Sequence, residues 1–137
     1  MKQSPQAVIP AYAHDTDAGM DLVAIGKEYD SYGNVVYHTG LAFEIPKGYV
    51  GLIFPRSSNC KKDIALTNSV GVIDSGYRGE VTAKFRRYDK CGLAEVYAIG
   101  ERVAQLIIMP YPRIEFEEVS ELSDSDRGIG GYGSTGK

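Results

Sequence analysis

No apolar run in this chain is long, and nearly every one is closed by a glycine or a proline. Leu41, Phe43 and Ile45 alternate with Ala42 and Glu44, and Pro46-Lys-Gly48 then turns the chain. A second run covers Tyr49 to Phe54. Val81, Ala83 and Phe85 alternate with Thr82, Lys84 and Arg86, and Arg102 to Met109 stops at Pro110. Period-two alternation between Gly and Pro turns predicts short strands packed as a sandwich or barrel. The 16 glycines and six prolines leave little room for long helix, and a single short helix is expected within Ser58 to Leu66.

A length of 137 residues predicts one domain, and 43% hydrophobic with 24% charged residues suits a soluble globular chain. The net charge of −3 argues against broad attraction to nucleic acid or to a membrane surface. No run approaches the roughly 18 apolar residues of a membrane helix. The start, Met1-Lys-Gln-Ser-Pro, lacks the apolar core of a signal peptide. Two cysteines, Cys60 and Cys91, make no disulfide framework, so a reducing, cytoplasmic setting is expected. His14 and His38 lack ligand-like spacing, which argues against structural zinc.

The C-terminal end is unlike the rest. Arg127-Gly-Ile-Gly-Gly-Tyr-Gly-Ser-Thr-Gly-Lys137 holds five glycines, an arginine, one aromatic ring and a Ser-Thr pair. Ordering such a tail costs on the order of 10 kcal/mol, at about 1 kcal/mol per residue. It has little apolar surface to offset that, but it has N–H groups, a cation and a ring. These suit a phosphorylated, ring-bearing ligand that orders the tail on binding; a frayed terminus is the plainer alternative. Gly128-Ile-Gly130-Gly-Tyr-Gly133 matches G-x-G-x-x-G, but no helix can follow it, so a dinucleotide fold is excluded. Glu115 to Asp126 is acidic and reads as a solvated linker that carries the tail away from the core.

Four internal segments could carry chemistry. In Gly71-Val-Ile-Asp74-Ser-Gly-Tyr77-Arg-Gly79, two apolar residues deliver a carboxylate to a turn, where it can act as a general base or simply cap an Asx turn. Pro55-Arg56-Ser57-Ser58 ends a strand with a cation and two hydroxyls at a helix start, suited to phosphate oxygens or to ordinary N-capping. Gln105 shares an apolar face with Val103, Ile107 and Met109, so its amide needs a backbone or a ligand partner. Asp21, in Ala18-Gly-Met-Asp21-Leu22, reads as the structural partner of Arg56.

Together these segments, with Asn68 to Gly79, Arg102-Val-Ala-Gln-Leu106 and the tail, resemble the five ordered motifs of the homotrimeric dUTP pyrophosphatase (dUTPase) family. The resemblance spans nearly the whole chain. It implies an all-β, β-clip or distorted jelly-roll-like barrel over residues 1–120, with one short helix. Residues 121–137 would be an acidic linker and a flexible Gly-rich arm that closes a neighbouring subunit's active site. It implies hydrolysis of dUTP to dUMP and pyrophosphate, which keeps uracil out of DNA and supplies dUMP. Asp74 would activate the water that attacks the α-phosphorus. Mg²⁺ would ride on the triphosphate and water with no direct protein ligand, as suits a reluctantly dehydrated ion.

By the same resemblance Asn68 and the backbone at Val72, Ile73 and Thr82 would read uracil, and Tyr77 would pack under the deoxyribose. Arg56, Ser57, Ser58 and Gln105 would hold phosphates, with Asp21 supporting the site. Arg127 would hold the γ-phosphate, with Gly133, Ser134 and Thr135 closing over the chain and Tyr132 stacking on uracil. Two positions depart from the pattern: Tyr132 stands where the family usually has Phe, and Gly76 where an acid is frequent. Gly76 also resembles the related dCTP deaminases, but those need a Glu where this chain has Lys84. A non-catalytic nucleotide sensor on the same scaffold is the other alternative.

Overall fold

The computed structural model describes residues 1–88 and 95–130. Cys91 and the tail residues Tyr132, Gly133, Ser134 and Thr135 lie outside the described residues. The described residues form eight strands: β1 Met20–Val23, β2 Gly26–Tyr29, β3 Val35–His38, β4 Tyr49–Pro55, β5 Ile64–Leu66, β6 Gly71–Ile73, β7 Thr82–Arg87 and β8 Arg102–Pro110. They make two four-stranded sheets, ordered β1-β8-β4-β6 and β2-β3-β7-β5, and every pairing is antiparallel. This is the expected all-β, jelly-roll-like architecture. Among the described residues no helix is long and apolar enough to cross a membrane.

The core fills the space between the sheets. Alternation on β7 works as the pattern predicts: Val81, Ala83 and Phe85 are buried while Thr82, Lys84 and Arg86 are exposed. Tyr37, Phe85 and Tyr97 meet edge to face at 5.8–6.1 Å between centroids, the favoured geometry for aromatic quadrupoles. The Tyr37 hydroxyl, fully buried, donates to the Tyr97 carbonyl at 3.0 Å, so the aromatic cluster leaves no polar group stranded there.

Two sequence expectations are corrected. The strand expected over Leu41 to Ile45 does not form; Leu41 makes only an isolated bridge to Lys2, and the Met1 ammonium donates to the Ala42 carbonyl. Beside it lie only single backbone contacts, to the N-terminal segment and from the Val81 N–H to the Leu41 carbonyl, and Pro46 offers no N–H to extend a ladder. Leu41 and Ile45 are nonetheless buried, so the apolar pattern reported burial rather than pairing. The helix expected in Ser58 to Leu66 is a 3-10 turn at Ser57–Lys61, and Ile64–Leu66 is strand β5. Ile64 and Leu66 are buried and pair with β7, so tertiary packing decides the segment.

Candidate active site

Strand register brings the first group together. β8 lies between β1 and β4, so Gln105 sits beside Asp21 on one side and Phe54 on the other. Arg56 leaves the end of β4 next to them. Asp21 accepts from Arg56 Nε at 2.6 Å and Nη2 at 3.4 Å, and from Arg102 Nη1 at 3.1 Å. One carboxylate thus fixes two guanidinium groups and leaves a net charge of about +1, which favours an anion. Arg56 Nη1 also donates to Ser58 Oγ at 3.3 Å. The expected Asp21–Arg56 pair is present; the second partner, Arg102, was not anticipated.

Gln105 settles its half-buried amide by donating Nε2 to the Pro55 carbonyl at 2.9 Å. Its Oε1 leans over Gly19, where an added Cβ would come within 2.7 Å. A cleft of about 480 Å³ opens here, lined by Gly19, Asp21, Arg56, Ser57, Arg102 and Gln105 among others. Ser58 turns away: its Oγ meets the Tyr97 hydroxyl at 3.2 Å and lines a neighbouring cavity with Lys61 and Lys62. The N-cap of the 3-10 turn is Arg56, with no side-chain cap bond, so neither serine is spent on capping.

The second group lies on a hairpin. β6 ends at Ile73, Asp74 opens a turn closed by the Tyr77 N–H to the Asp74 carbonyl at 3.0 Å, and the chain returns through Glu80 into β7. A cavity of about 160 Å³ is lined by Val72, Ile73, Asp74, Tyr77, Glu80, Val81 and Thr82. Next to it, a cavity of about 250 Å³ takes in Asn68, Gly71, Val72, Thr82 and Lys84. Six expected residues therefore converge: Asn68, Val72, Ile73, Asp74, Tyr77 and Thr82.

Three features of this hairpin carried no role in the sequence reading. Gly79 lies under the Tyr77 ring, where an added Cβ would approach Tyr77 Cζ to 2.6 Å, so only glycine lets the ring settle. Tyr77 then donates its hydroxyl to the Glu80 carbonyl at 3.1 Å. Ser69, beside Asn68, is the one non-glycine residue with positive φ among the described residues, at 60°. The Glu80 carboxylate is gripped by His38 Nδ1 at 3.0 Å and by the Gly40 N–H at 2.7 Å. Burial pushes Glu80 upward, but these hydrogen bonds outweigh it and hold the carboxyl below its ordinary value. The hydrogen bond that His38 donates to Glu80 raises His38 in turn.

The two groups do not meet within one chain. Gly51 of β4 pairs with Ile73 and Ile53 with Gly71, so Asp74 falls beyond Gly51 while Arg56 leaves the opposite end. Six residues of strand separate them, about 20 Å at roughly 3.3 Å per residue. Arg127 joins neither group. It sits in an exposed turn and donates Nε to the Gly130 carbonyl at 2.9 Å. Residues 111–130 carry no strand, and Phe116 is 96% exposed. Among the described residues no group of three or more His, Cys, Asp or Glu could hold a metal.

The dUTPase family model matches residues 5–136. The chain is similar to the deoxyuridine 5'-triphosphate nucleotidohydrolase of Alkaliphilus metalliredigens, at 42% identity over 95% of this chain and 90% of that protein. It is similar to the one of Crocosphaera subtropica at 39% identity, over 99% of this chain and 96% of the relative. Among solved structures, a mutant dUTPase of Staphylococcus bacteriophage 80alpha with dUpNHpp superposes with a TM-score of 0.81 at 30% identity, covering 100% of this chain and 96% of that one. A mutant dUTPase of phage phi11 of S. aureus, described with a structural Mg(II) ion, gives 0.73 at 26% identity, over 88% and 95% of the two chains.

Proposed function

The chain belongs to the dUTPase family, and from that premise we propose that it hydrolyses dUTP to dUMP and pyrophosphate at sites shared between copies. The observation that carries the reading is the division of the site: a hairpin cavity of about 160 Å³ lined by a carboxylate, and a guanidinium cleft at the far end of the same strand. A triphosphate whose α-phosphorus lies at Asp74 cannot reach Arg56 some 20 Å away in the same chain. The cleft of a second copy supplies that end, and a closed ring of copies repeats the arrangement; a homotrimer is the proposed assembly.

Asp74 is the proposed general base. It takes a proton from a water held for in-line attack on the α-phosphorus; the new bond is from water oxygen to phosphorus, and the bond to the bridging oxygen breaks, releasing pyrophosphate. A positioned base contributes about 10²–10⁴-fold. Alignment and charge stabilisation supply the rest. Asn68 and the backbone of Val72, Ile73 and Thr82 read uracil, while Tyr77 seats the deoxyribose. Arg56, Ser57, Ser58 and Gln105 hold phosphates, with Asp21 keeping Arg56 in place. Residues 121–137 are the proposed linker and arm, in which Arg127, Tyr132, Gly133, Ser134 and Thr135 close over the nucleotide bound by another copy.

Mg²⁺ is the proposed cofactor; when bound, it neutralises phosphate charge. The lack of any carboxylate cluster among the described residues fits an ion that arrives on the triphosphate and keeps its waters. A deaminase reading is disfavoured at Lys84, whose Nζ is held by Asp30 Oδ2 at 3.0 Å and offers no carboxylate to a water.

The test is product analysis with Mg²⁺ and dUTP, dCTP, UTP and dTTP offered separately. Selective dUMP and pyrophosphate from dUTP is expected. Ammonia from dCTP would overturn the use made of Lys84, and turnover of none would leave a nucleotide-binding protein without catalysis.

A further inference from the structure

Glu80 occupies an odd place for a carboxylate. It lines the same small cavity as Asp74, where an incoming triphosphate already brings several negative charges. Its backbone carbonyl accepts the Tyr77 hydroxyl at 3.1 Å, and its side chain is about one-quarter exposed at 26%. One carboxylate oxygen takes the Gly40 N–H at 2.7 Å, and the other faces His38 Nδ1 at 3.0 Å. The next residue continues the attachment: Val81 donates its N–H to the Leu41 carbonyl at 2.8 Å and accepts the Thr39 hydroxyl at 2.6 Å. His38 to Leu41, the exit of β3, therefore carries the whole return arm of the hairpin.

We propose that His38 is a positioning residue that acts through Glu80: the contact holds the return arm on β3, keeps the Glu80 charge turned away from the cavity, and so fixes the seat of the Tyr77 ring and the selection of deoxyribose. The proposal rests on the dUTPase reading of the hairpin. His38 touches no proposed substrate group itself. Its register partner is Thr82, so a shift at His38 is transmitted along β7 as well as through Glu80.

The protonation pattern agrees. His38 is raised from 6.5 first by the hydrogen bond to Glu80, and Glu80 is lowered from 4.5 in spite of its burial. Both are charged between those two displaced values. As pH rises through the raised value of His38, the cation is lost, and the bond to Glu80 loses its charge assistance even where the neutral ring still donates Nδ1–H. The other charged groups around the pair are Glu28 of β2, whose Oε1 lies 3.4 Å from His38 Nε2, Lys84 two residues beyond Thr82 on β7, and Asp74, which lines the same cavity as Glu80.

The experiment compares wild type, His38→Gln, Glu80→Gln and Glu80→Ala in the full-length protein, with kcat and KM for dUTP and UTP from pH 6 to 9. Glu80→Ala is expected to raise KM for dUTP about tenfold and to cut the preference over UTP about tenfold, with kcat within about twofold. Glu80→Gln, which can still accept the Gly40 N–H, should recover most of both. Wild-type KM should rise about threefold as pH climbs above 6.5, and that rise should vanish in His38→Gln and Glu80→Gln. Should Glu80→Ala fail to assemble, the flattened profile of His38→Gln decides. His38→Gln with wild-type KM, sugar preference and pH profile overturns the proposal alone. Wild type inert towards dUTP removes the reading beneath it.

Discussion

If each site takes its base from one copy and its phosphate grip from another, two dead variants should repair each other. Asp74→Asn removes the base and keeps Arg56; Arg56→Ala does the reverse. The separation of about 20 Å along β4 means that neither variant can restore a site using its own chain. In a randomly assembled 1:1 mixture, a site is whole when the copy giving Asp74 is of the second type and the copy giving Arg56 is of the first. Each condition holds half the time, so about a quarter of sites should be intact. Either variant alone should retain about one-hundredth of wild-type turnover or less. The assay is pyrophosphate release after the two chains are unfolded together and refolded, or co-expressed and purified through two different tags. Recovery near one-quarter is the expected result. A mixture no more active than its components would refute the shared site, because exchange within one chain gives no repaired sites at all.

Asp74→Asn by itself should cut turnover at least about a hundredfold while dUTP still binds, as seen by calorimetry; near-normal turnover would remove Asp74 from the mechanism. Gly79→Ala forces a methyl group to within 2.6 Å of Tyr77 Cζ. Because Tyr77 is 45% exposed, its ring can swing outward. The change should therefore appear as poorer discrimination between dUTP and UTP, with stability lowered by no more than about 1 kcal/mol. Ser69→Gly relieves a left-handed backbone at φ 60° and should raise the melting temperature slightly, the gain being about 1 kcal/mol or less after the entropy of the freer unfolded chain. A lower melting temperature would mean that the serine side chain stabilises that turn.

Much of the fold was written in the alternation of β7, which a half-buried strand must repeat every two residues, and in the turn-bounded apolar runs of β4 and β8. The failures have a common cause. Leu41 to Ile45 shows the same alternation but has no partner long enough to build a ladder, and a sequence pattern reports which side chains are buried without naming what lies beside the backbone. Ile64–Leu66 is too short to declare its period, and pairing with β7 decides it. In the candidate site, Asp21 with Arg56 could be read because opposite charges on strand ends invite pairing. Arg102 as second partner could not, since it depends on β8 lying beside β1, 81 residues apart in sequence. Gly79 beneath Tyr77 was hidden for another reason: a glycine two residues after an aromatic ring fits any turn, and only the ring's direction reveals what its missing Cβ permits.

Gly76 is the departure that the hairpin helps to interpret. A glycine in a turn is commonly required by a left-handed backbone or by close packing, and then no other residue can be restored there. Neither holds here: Gly76 is absent from the positive-φ glycines, and an added Cβ would meet nothing within 4 Å. The backbone would accept an acid at this position without rearranging the turn that carries Asp74. The missing side chain therefore changes the chemistry of the turn and leaves its shape alone. With it gone, the nearest ordered carboxylate known to share the cavity with Asp74 is Glu80, and that one is bound on both oxygens by His38 and Gly40. Among the described residues no side chain hydrogen-bonds the Asp74 carboxylate, which leaves its oxygens open to the water in the role proposed for it.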